Sequence, residues 1–168
     1  MTRSPAMMGA PIGAIPWRRS REPDRAWGRL IMTVVITGGL GFIGSHLVHD
    51  ALTWDLGEVV VVDELASASA AQLDKLAGVP VRDLIDRDEF RSAVARDAGW
   101  LDEVSLVVHQ GACAVTNEPD VDYLMDTNLT CSLEILEACL ARAVPLVYAS
   151  SAAVYGTSTV MAERSEFE

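Results

Sequence analysis

Cysteine is scarce in this 168-residue chain, and its placement is uninformative for bonding: Cys113, Cys131 and Cys139 are odd in number and form no Cys-x-x-Cys pair. A disulfide framework is therefore excluded, and the three read as small buried apolar residues of a reducing compartment. A metal site has no support, because His46, His49 and His109 are not grouped with them at ligand spacing. No apolar run approaches the roughly 18 residues that a membrane span needs. Positive charge is also short. The formal net charge is −11, which argues against nucleic acid, whose phosphates most of this surface would repel. An acidic balance of this kind is ordinary for a cytoplasmic protein, and that location is expected here. No internal repeat or low-complexity block is present.

Half of the residues are hydrophobic, so the chain can bury a core and is not a disordered one. Its length suits one domain, and is too short for a cofactor domain plus a substantial second one. Charge is unevenly spread. Residues 1–30 hold six arginines against Glu22 and Asp24, a local +4, so the remainder carries −15. Pro5, Pro11, Pro16 and Pro23 break any regular element there. Arg18-Arg19 is followed by no apolar h-region, which removes a twin-arginine or secretory signal. Residues 1–31 are expected to be a disordered leader, or the product of a mis-set start upstream of Met32.

The most informative stretch is Thr37-Gly38-Gly39-Leu40-Gly41-Phe42-Ile43-Gly44. It follows the apolar run Met32–Ile36 and opens an amphipathic segment, so strand, glycine turn and helix start come in the order a dinucleotide site requires. Gly38 can take the tight turn, Gly41 lets the backbone approach a pyrophosphate, and Gly44 allows close helix packing. The helix N-terminus offers N–H groups and a positive dipole end to the phosphates.

Strand and helix then alternate. Thr33–Thr37 is predicted as a strand, followed by a helix over Ile43–Trp54 with Ile43, Leu47, Val48, Ala51 and Leu52 inward. Glu58–Asp63 is a β-branched run typical of a strand buried on both faces. A helix over Ser67–Leu76, a short strand over Val79–Leu84, a helix over Arg87–Ala95 and a strand over Val104–His109 follow. A long helix is predicted from about Pro119 to Arg142, capped by Asn117 or Asp120 and ended by Pro145, with Leu129, Leu133, Leu136 and Leu140 along one stripe. Leu146–Ala149 is the last strand. The pattern predicts a Rossmann-type, doubly wound α/β fold with a parallel sheet, helices on both faces and ligand at the strands' carboxyl ends. The sheet is expected to be incomplete at the C-terminal side.

Asp63 ends the second strand, 19 residues past Gly44. A carboxylate there can accept hydrogen bonds from both adenosine-ribose hydroxyls, which favours NAD, or it can be a solvated loop group. Glu64 adds a second negative charge. The loop His109-Gln110-Gly111-Ala112-Cys113 is small where a nicotinamide ribose would pass. Cys113 faces that space without a base beside it, and His109 is read as a strand-end imidazole bonded to backbone rather than as a catalyst.

With Leu146-Val147-Tyr148-Ala149-Ser150-Ser151-Ala152-Ala153-Val154-Tyr155-Gly156 added, residues 32–168 resemble the extended short-chain dehydrogenase/reductases, the NAD(P)-dependent nucleotide-sugar epimerases and dehydratases. The segments Val108–Thr116 and Tyr123–Asn128 are most similar to the branch acting on ADP-linked heptoses. The resemblance implies an isomerase of nucleotide-sugars that works by transient oxidation and reduction, and a homo-oligomer for the full-length enzyme. It implies that Phe42 and Ile43 bracket the pyrophosphate, that Asp63 and Glu64 hold the adenosine ribose, and that Arg87 stands where the heptose enzymes carry a cofactor-contacting lysine. Gln110, Gly111, Ala112, Cys113 and Ala114 would line the dinucleotide, Asn128 would bond backbone nearby, and Ser151 would be the catalytic serine. By local chemistry alone Ser151 can equally cap a turn.

Two departures stand out. The family's Tyr-x-x-x-Lys base segment is absent from these residues: Tyr155 is followed by Thr159 and Tyr148 by Ala152. The chain is therefore expected to be the cofactor-binding part of an epimerase, unable to turn over alone; the other readings are a non-catalytic NAD(P)-binding module and another nucleotide-sugar epimerase or reductase of the same family. Second, Ala70 lies where the resemblance implies a further lysine, so local charge leans to NAD, while the resemblance leans to NADP.

Overall fold

A computed structural model of the chain describes residues 32–96 and 98–157. The leader reading of residues 1–31 lies outside the described residues. Five strands form one parallel sheet in the order β3-β2-β1-β4-β5. They are β1 (Thr33–Thr37), β2 (Glu58–Asp63), β3 (Asp83–Asp86), β4 (Val104–His109) and β5 (Leu146–Tyr148). This is the doubly wound order expected from the alternation. Its direction reverses between β1 and β4, so a crevice opens there at the strands' carboxyl ends.

Side-chain alternation explains why β1 and β2 read as unbroken apolar runs. Val34, Ile36, Val59 and Val61 face α1 (Phe42–Thr53), meeting Val48 and Ala51. Val35, Val60 and Val62 face the other way, towards Phe90 and Val94 of α3 (Arg87–Arg96) and Cys131, Ile135 and Cys139 of α5 (Cys131–Arg142). Both sheet faces are covered, which is what a parallel sheet needs. Each fully buried Val or Ile side chain adds about 1.5–3 kcal/mol relative to exposure.

Several boundaries differ from expectation. The helix expected over Ser67–Leu76 shortens to α2 (Ala70–Asp74), started by a reciprocal capping box between Ser69 and Gln72. The strand expected over Val79–Leu84 lies later, at Asp83–Asp86, because Pro80 has no N–H and Val81 N–H turns back to the Val79 carbonyl at 2.8 Å. In α1 the inner stripe runs through Gly44, Val48 and Ala51, which leaves Ile43 exposed rather than inward.

The long helix is present but contains a π-turn. It comprises α4 (Val121–Met125), a wider π-turn at Asp126–Thr130, and α5. Asp120 rather than Asn117 caps it, accepting from the Tyr123 N–H. The chain leaves α5 through Ala143 in the left-handed conformation. The predicted leucine stripe is the outer face: Leu129, Leu133, Leu136 and Leu140 are all exposed. The inner face carries the smaller Cys131 and Cys139 with Ile135, which let the helix lie close against the β-branched strands.

Candidate functional site

At the end of β1 the backbone turns through Gly38, whose φ is +69°. A Cβ here would press on the Gln110 carbonyl carbon and the Gly111 nitrogen, each 2.8 Å away. The loops after β1 and β4 are thus in contact through bare backbone, and only glycine fits. The Gly38 N–H donates to the Val62 carbonyl at 2.7 Å. Gly41 is the N-cap of α1 and supplies no capping side chain, and the first turn holds no acidic residue. The first N–H groups of the helix therefore keep their positive partial charge, an arrangement suited to a phosphate group. A methyl on Gly44 would strike the Gly38 carbonyl oxygen, so that glycine sets how tightly helix and loop pack.

Asp63 closes this loop from the neighbouring strand. Its Oδ2 accepts from the Leu40 N–H and its Oδ1 from the Glu64 N–H, both at 2.8 Å. The Leu40 carbonyl in turn accepts from Lys75 Nζ at 3.0 Å. Each Asp63 oxygen retains a lone pair for a further donor. Parallel pairing of Asp63 with Asp86 makes Glu64 and Arg87 the next residues across the same strand ends. Arg87 Nη2 meets Glu64 Oε1 at 3.3 Å, and its guanidinium lies 5.9 Å from the Tyr123 ring centre.

A relay of hydrogen bonds fixes the loop after β4. Gly111 N–H donates to Thr37 Oγ1 at 3.0 Å, and the Thr37 hydroxyl is 2.6 Å from His109 Nδ1. On the other side, His109 Nε2 is 2.9 Å from Ser132 Oγ, whose single proton goes to the Asn128 carbonyl at 2.9 Å. That bookkeeping of protons sets the tautomer: Nε2–H donates to Ser132, and Nδ1 accepts from Thr37. His109 is thus a neutral strut between two hydroxyls, not an imidazole bonded to backbone. Burial lowers its pKa, in keeping with that role. Asn128, in the π-turn, accepts from the Cys113 N–H at 2.8 Å and donates to the Cys113 carbonyl at 3.1 Å.

These elements line an open cleft at the carboxyl ends of the strands. Of the sequence-predicted residues, Gly38, Asp63, Glu64, Arg87, Gly111, Ala112 and Cys113 line it. Gly41, Phe42, Ile43 and Gly44 form the loop and helix start beside it, with Phe42 and Ile43 exposed. Gln110 begins the second loop, and exposed Ala114 follows Cys113. Ser151 lies past β5, where its Oγ accepts from the Ala153 N–H at 3.1 Å; its hydroxyl proton is left for another acceptor. Cys131 and Cys139 are buried and desolvation raises their pKa values, whereas Cys113 is half-buried. Among the described residues no group of His, Cys, Asp and Glu can hold a metal.

Sequence reasoning assigned no site role to Tyr123 and Thr127, which wall the cleft from α4 and the π-turn. Their four-residue spacing on one helix face was the available signal.

The comparisons with known proteins agree on the family. The chain is 41% identical over 135 residues to ADP-L-glycero-D-manno-heptose-6-epimerase of Alkalilimnicola ehrlichii, covering 80% of this chain and 41% of that protein. The enzyme of the same name from Cupriavidus pinatubonensis is 41% identical over 137 residues, with 82% and 40% covered. The chain therefore spans about two fifths of the length of the curated relatives it matches. Among solved structures, ADP-L-glycero-D-manno-heptose-6-epimerase of Helicobacter pylori superposes with a TM-score of 0.64 at 27% identity, over 78% of this chain and 42% of that one. UDP-glucose-4-epimerase of Stenotrophomonas maltophila, solved with bound NAD and formylated UDP-arabinopyranose, gives 0.62 at 27% identity, over 77% and 40%. Residues 34–168 match the NAD dependent epimerase/dehydratase family, and the chain belongs to it.

Proposed function

We propose that residues 32–168 are the dinucleotide-binding domain of a nucleotide-sugar epimerase, most like ADP-L-glycero-D-manno-heptose-6-epimerase. One observation carries the proposal. An uncapped helix start and a bare glycine turn stand beside Asp63, at the carboxyl ends of the strands, in a chain 41% identical to such epimerases. The crevice fits the cofactor by its own geometry: Gly38 and Gly111 keep Cβ atoms out of the backbone cradle, and the α1 N-terminus is free of competing carboxylates.

In this reading the amides of residues 38–44 bind the pyrophosphate, with Phe42 and Ile43 flanking it. Asp63 accepts from the adenosine ribose. Gln110, Gly111, Ala112, Cys113 and Ala114 line the nicotinamide half, held in place by Asn128. When bound, the nicotinamide supplies a hydride acceptor and donor for transient oxidation of a sugar carbon. The Ser151 hydroxyl donates to the sugar oxygen being oxidised. Proton removal needs a base, and the 168 residues hold no Tyr-x-x-x-Lys segment. General acid–base catalysis is worth roughly 10²–10⁴-fold, so the chain alone binds cofactor without efficient turnover. The nucleotide-sugar is the substrate, a homo-oligomer is the form of the longer enzyme, and the cytoplasm is its location. No described helix is long and apolar enough to cross a membrane.

A second reading of the same cleft is a binding module with no catalytic step. Calorimetric titration of the folded chain with NAD and NADP tests the shared basis: saturable heat is expected, and none with either would end both readings. Assaying ADP-heptose epimerisation by the chain joined to downstream coding sequence separates them, since only an epimerase gives product.

A further inference from the structure

Lys75 is the one lysine of this chain, and its side chain reaches back 35 residues to the glycine loop, where Nζ donates to the Leu40 carbonyl at 3.0 Å. Leu40 is the only residue between Gly38 and Gly41 with a side chain, so the shape of the turn rests on it. That side chain is buried among Val34, Ile36, Val48, Val59 and Val61, and the Leu40 N–H goes to Asp63 Oδ2. Lys75 holds the remaining group, the carbonyl. The Lys75 backbone is fixed in turn: Leu76 is buried in the same cluster, and the Lys75 carbonyl accepts from His49 Nε2 of α1 at 3.3 Å. The Leu40 carbonyl and the Gly41 N–H belong to one planar peptide unit and point opposite ways. Holding the carbonyl therefore aims the Gly41 N–H at the Gly38 carbonyl, which it meets at 3.0 Å just ahead of the α1 start.

We propose that Lys75 is a positioning residue for the dinucleotide: its charged amine latches the Leu40–Gly41 peptide and so keeps the glycine loop in the form that grips a pyrophosphate. The inference rests on the dinucleotide reading of the cleft, and Lys75 acts there through Leu40. Arg82, Arg87, Arg91 and Arg142 all pair with carboxylates. Arg96 ends α3, a helix length away from the strands' carboxyl ends. Lys75 donates to a neutral carbonyl and, among the described residues, forms no ion pair. Its charge thus stays unneutralised beside the loop, in a chain of net charge −11. A hydrogen bond from an ammonium is roughly twice as strong as a neutral one. Without it the peptide between Leu40 and Gly41 has no Cβ on its glycine side to stop rotation. Coupling of this kind is reciprocal: a latch that favours the nucleotide is favoured by it to the same factor. Lys75 is exposed, so its amine is open to an acylating reagent.

The test is calorimetric titration of the full 168-residue chain, and of Lys75→Arg, Lys75→Met and Lys75→Gln, with NAD. Folding of each variant is checked by circular dichroism. The methionine and glutamine variants should bind at least about fivefold more weakly, while Lys75→Arg, which keeps charge and donors, should stay within about threefold of the unaltered chain. A second measurement needs no variant. The rate at which N-acetoxysuccinimide acetylates Lys75 in the unaltered chain is read by peptide mass spectrometry, with and without saturating NAD. Because the bound nucleotide tightens the latch, that rate should fall at least about threefold. A smaller loss in either neutral variant that folds, a larger loss in a folded Lys75→Arg, or a smaller slowing of acetylation overturns the proposal while leaving dinucleotide binding intact. Failure of the folded, unaltered chain to bind NAD removes the dinucleotide reading and this inference together.

Discussion

Asn128 holds Cys113 at two points: its side-chain oxygen accepts the Cys113 N–H and its amide nitrogen donates to the Cys113 carbonyl. One side chain on a helix thus does for the loop after β4 what a neighbouring strand would do. Both bonds use the complementary donor and acceptor of a single amide, which no other residue of that length supplies.

Asn128→Asp keeps the acceptor and loses the donor, leaving the Cys113 carbonyl opposed by a carboxylate. A loss of about 1–3 kcal/mol is expected in urea unfolding. Dinucleotide affinity should fall in parallel, because Gly111, Ala112 and Cys113 form the wall that Asn128 supports.

His109 should make stability depend on pH. Its folded pKa lies below the ordinary imidazole value of about 6.5, so between the two values the unfolded chain binds more protons than the folded one. Stability is therefore full above about pH 6.5, declines as pH drops below it, and stops declining on this account once pH is under the folded value. Urea midpoints measured from about pH 7.5 to 5.5, above most carboxylate titrations, should fall for the unaltered chain and stay flatter for His109→Gln. Equal slopes would remove His109 as the cause.

Gly44→Ala places a methyl against the Gly38 carbonyl oxygen. Overpacking against backbone typically costs about 1–3 kcal/mol, with larger values where nothing can give way. A thermal melt should show the loss, and titration should show weaker dinucleotide binding, because relieving the clash moves α1 off the loop.

Arg91 ties three elements together. It forms a two-pronged pair with Asp126 at 2.7 and 3.0 Å and a second with Glu134 at 2.7 and 3.1 Å. The pairing raises the Arg91 pKa and lowers that of Asp126. Both carboxylates are half exposed, so solvent screening discounts the gain. Arg91→Met is expected to cost about 1 kcal/mol at low salt and less in high salt. For Asp126 the sign is opposite to an acid-stabilised group: its contribution is present above the ordinary carboxylate pKa and disappears as pH falls through the lowered folded value.

Much of the fold was legible because its signals are local. β2 is β-branched from Val59 to Val62, and both sheet faces accept such residues. The glycine turn announces itself by spacing. What sequence could not show depends on tertiary register. β3 is a Leu84-Ile85 pair flanked by Asp83 and Asp86, too short and polar to stand out until β2 pairs with it. The leucine stripe of α5 outscored Cys131, Ile135 and Cys139 in apolar character, yet close packing on the sheet selects the smaller side chains. Within the site, Asp63 and the glycines were found by spacing. The Glu64–Arg87 pair and the His109 relay were not, because each joins residues from different strands or helices through contacts that only the folded sheet creates.

The wide turn at Asp126–Thr130 also constrains how this protein can vary. Thr127 reaches Arg87 while its neighbour Asn128 reaches Cys113, so adjacent positions serve opposite walls of the crevice. Trimming one residue to restore regular winding would swing everything upstream by about 100°, one α-helical step. Tyr123 would leave the crevice while Cys131 and Ile135 kept their seats. The irregular loop of helix is thus a spacer that lets a single rod serve two differently phased surfaces.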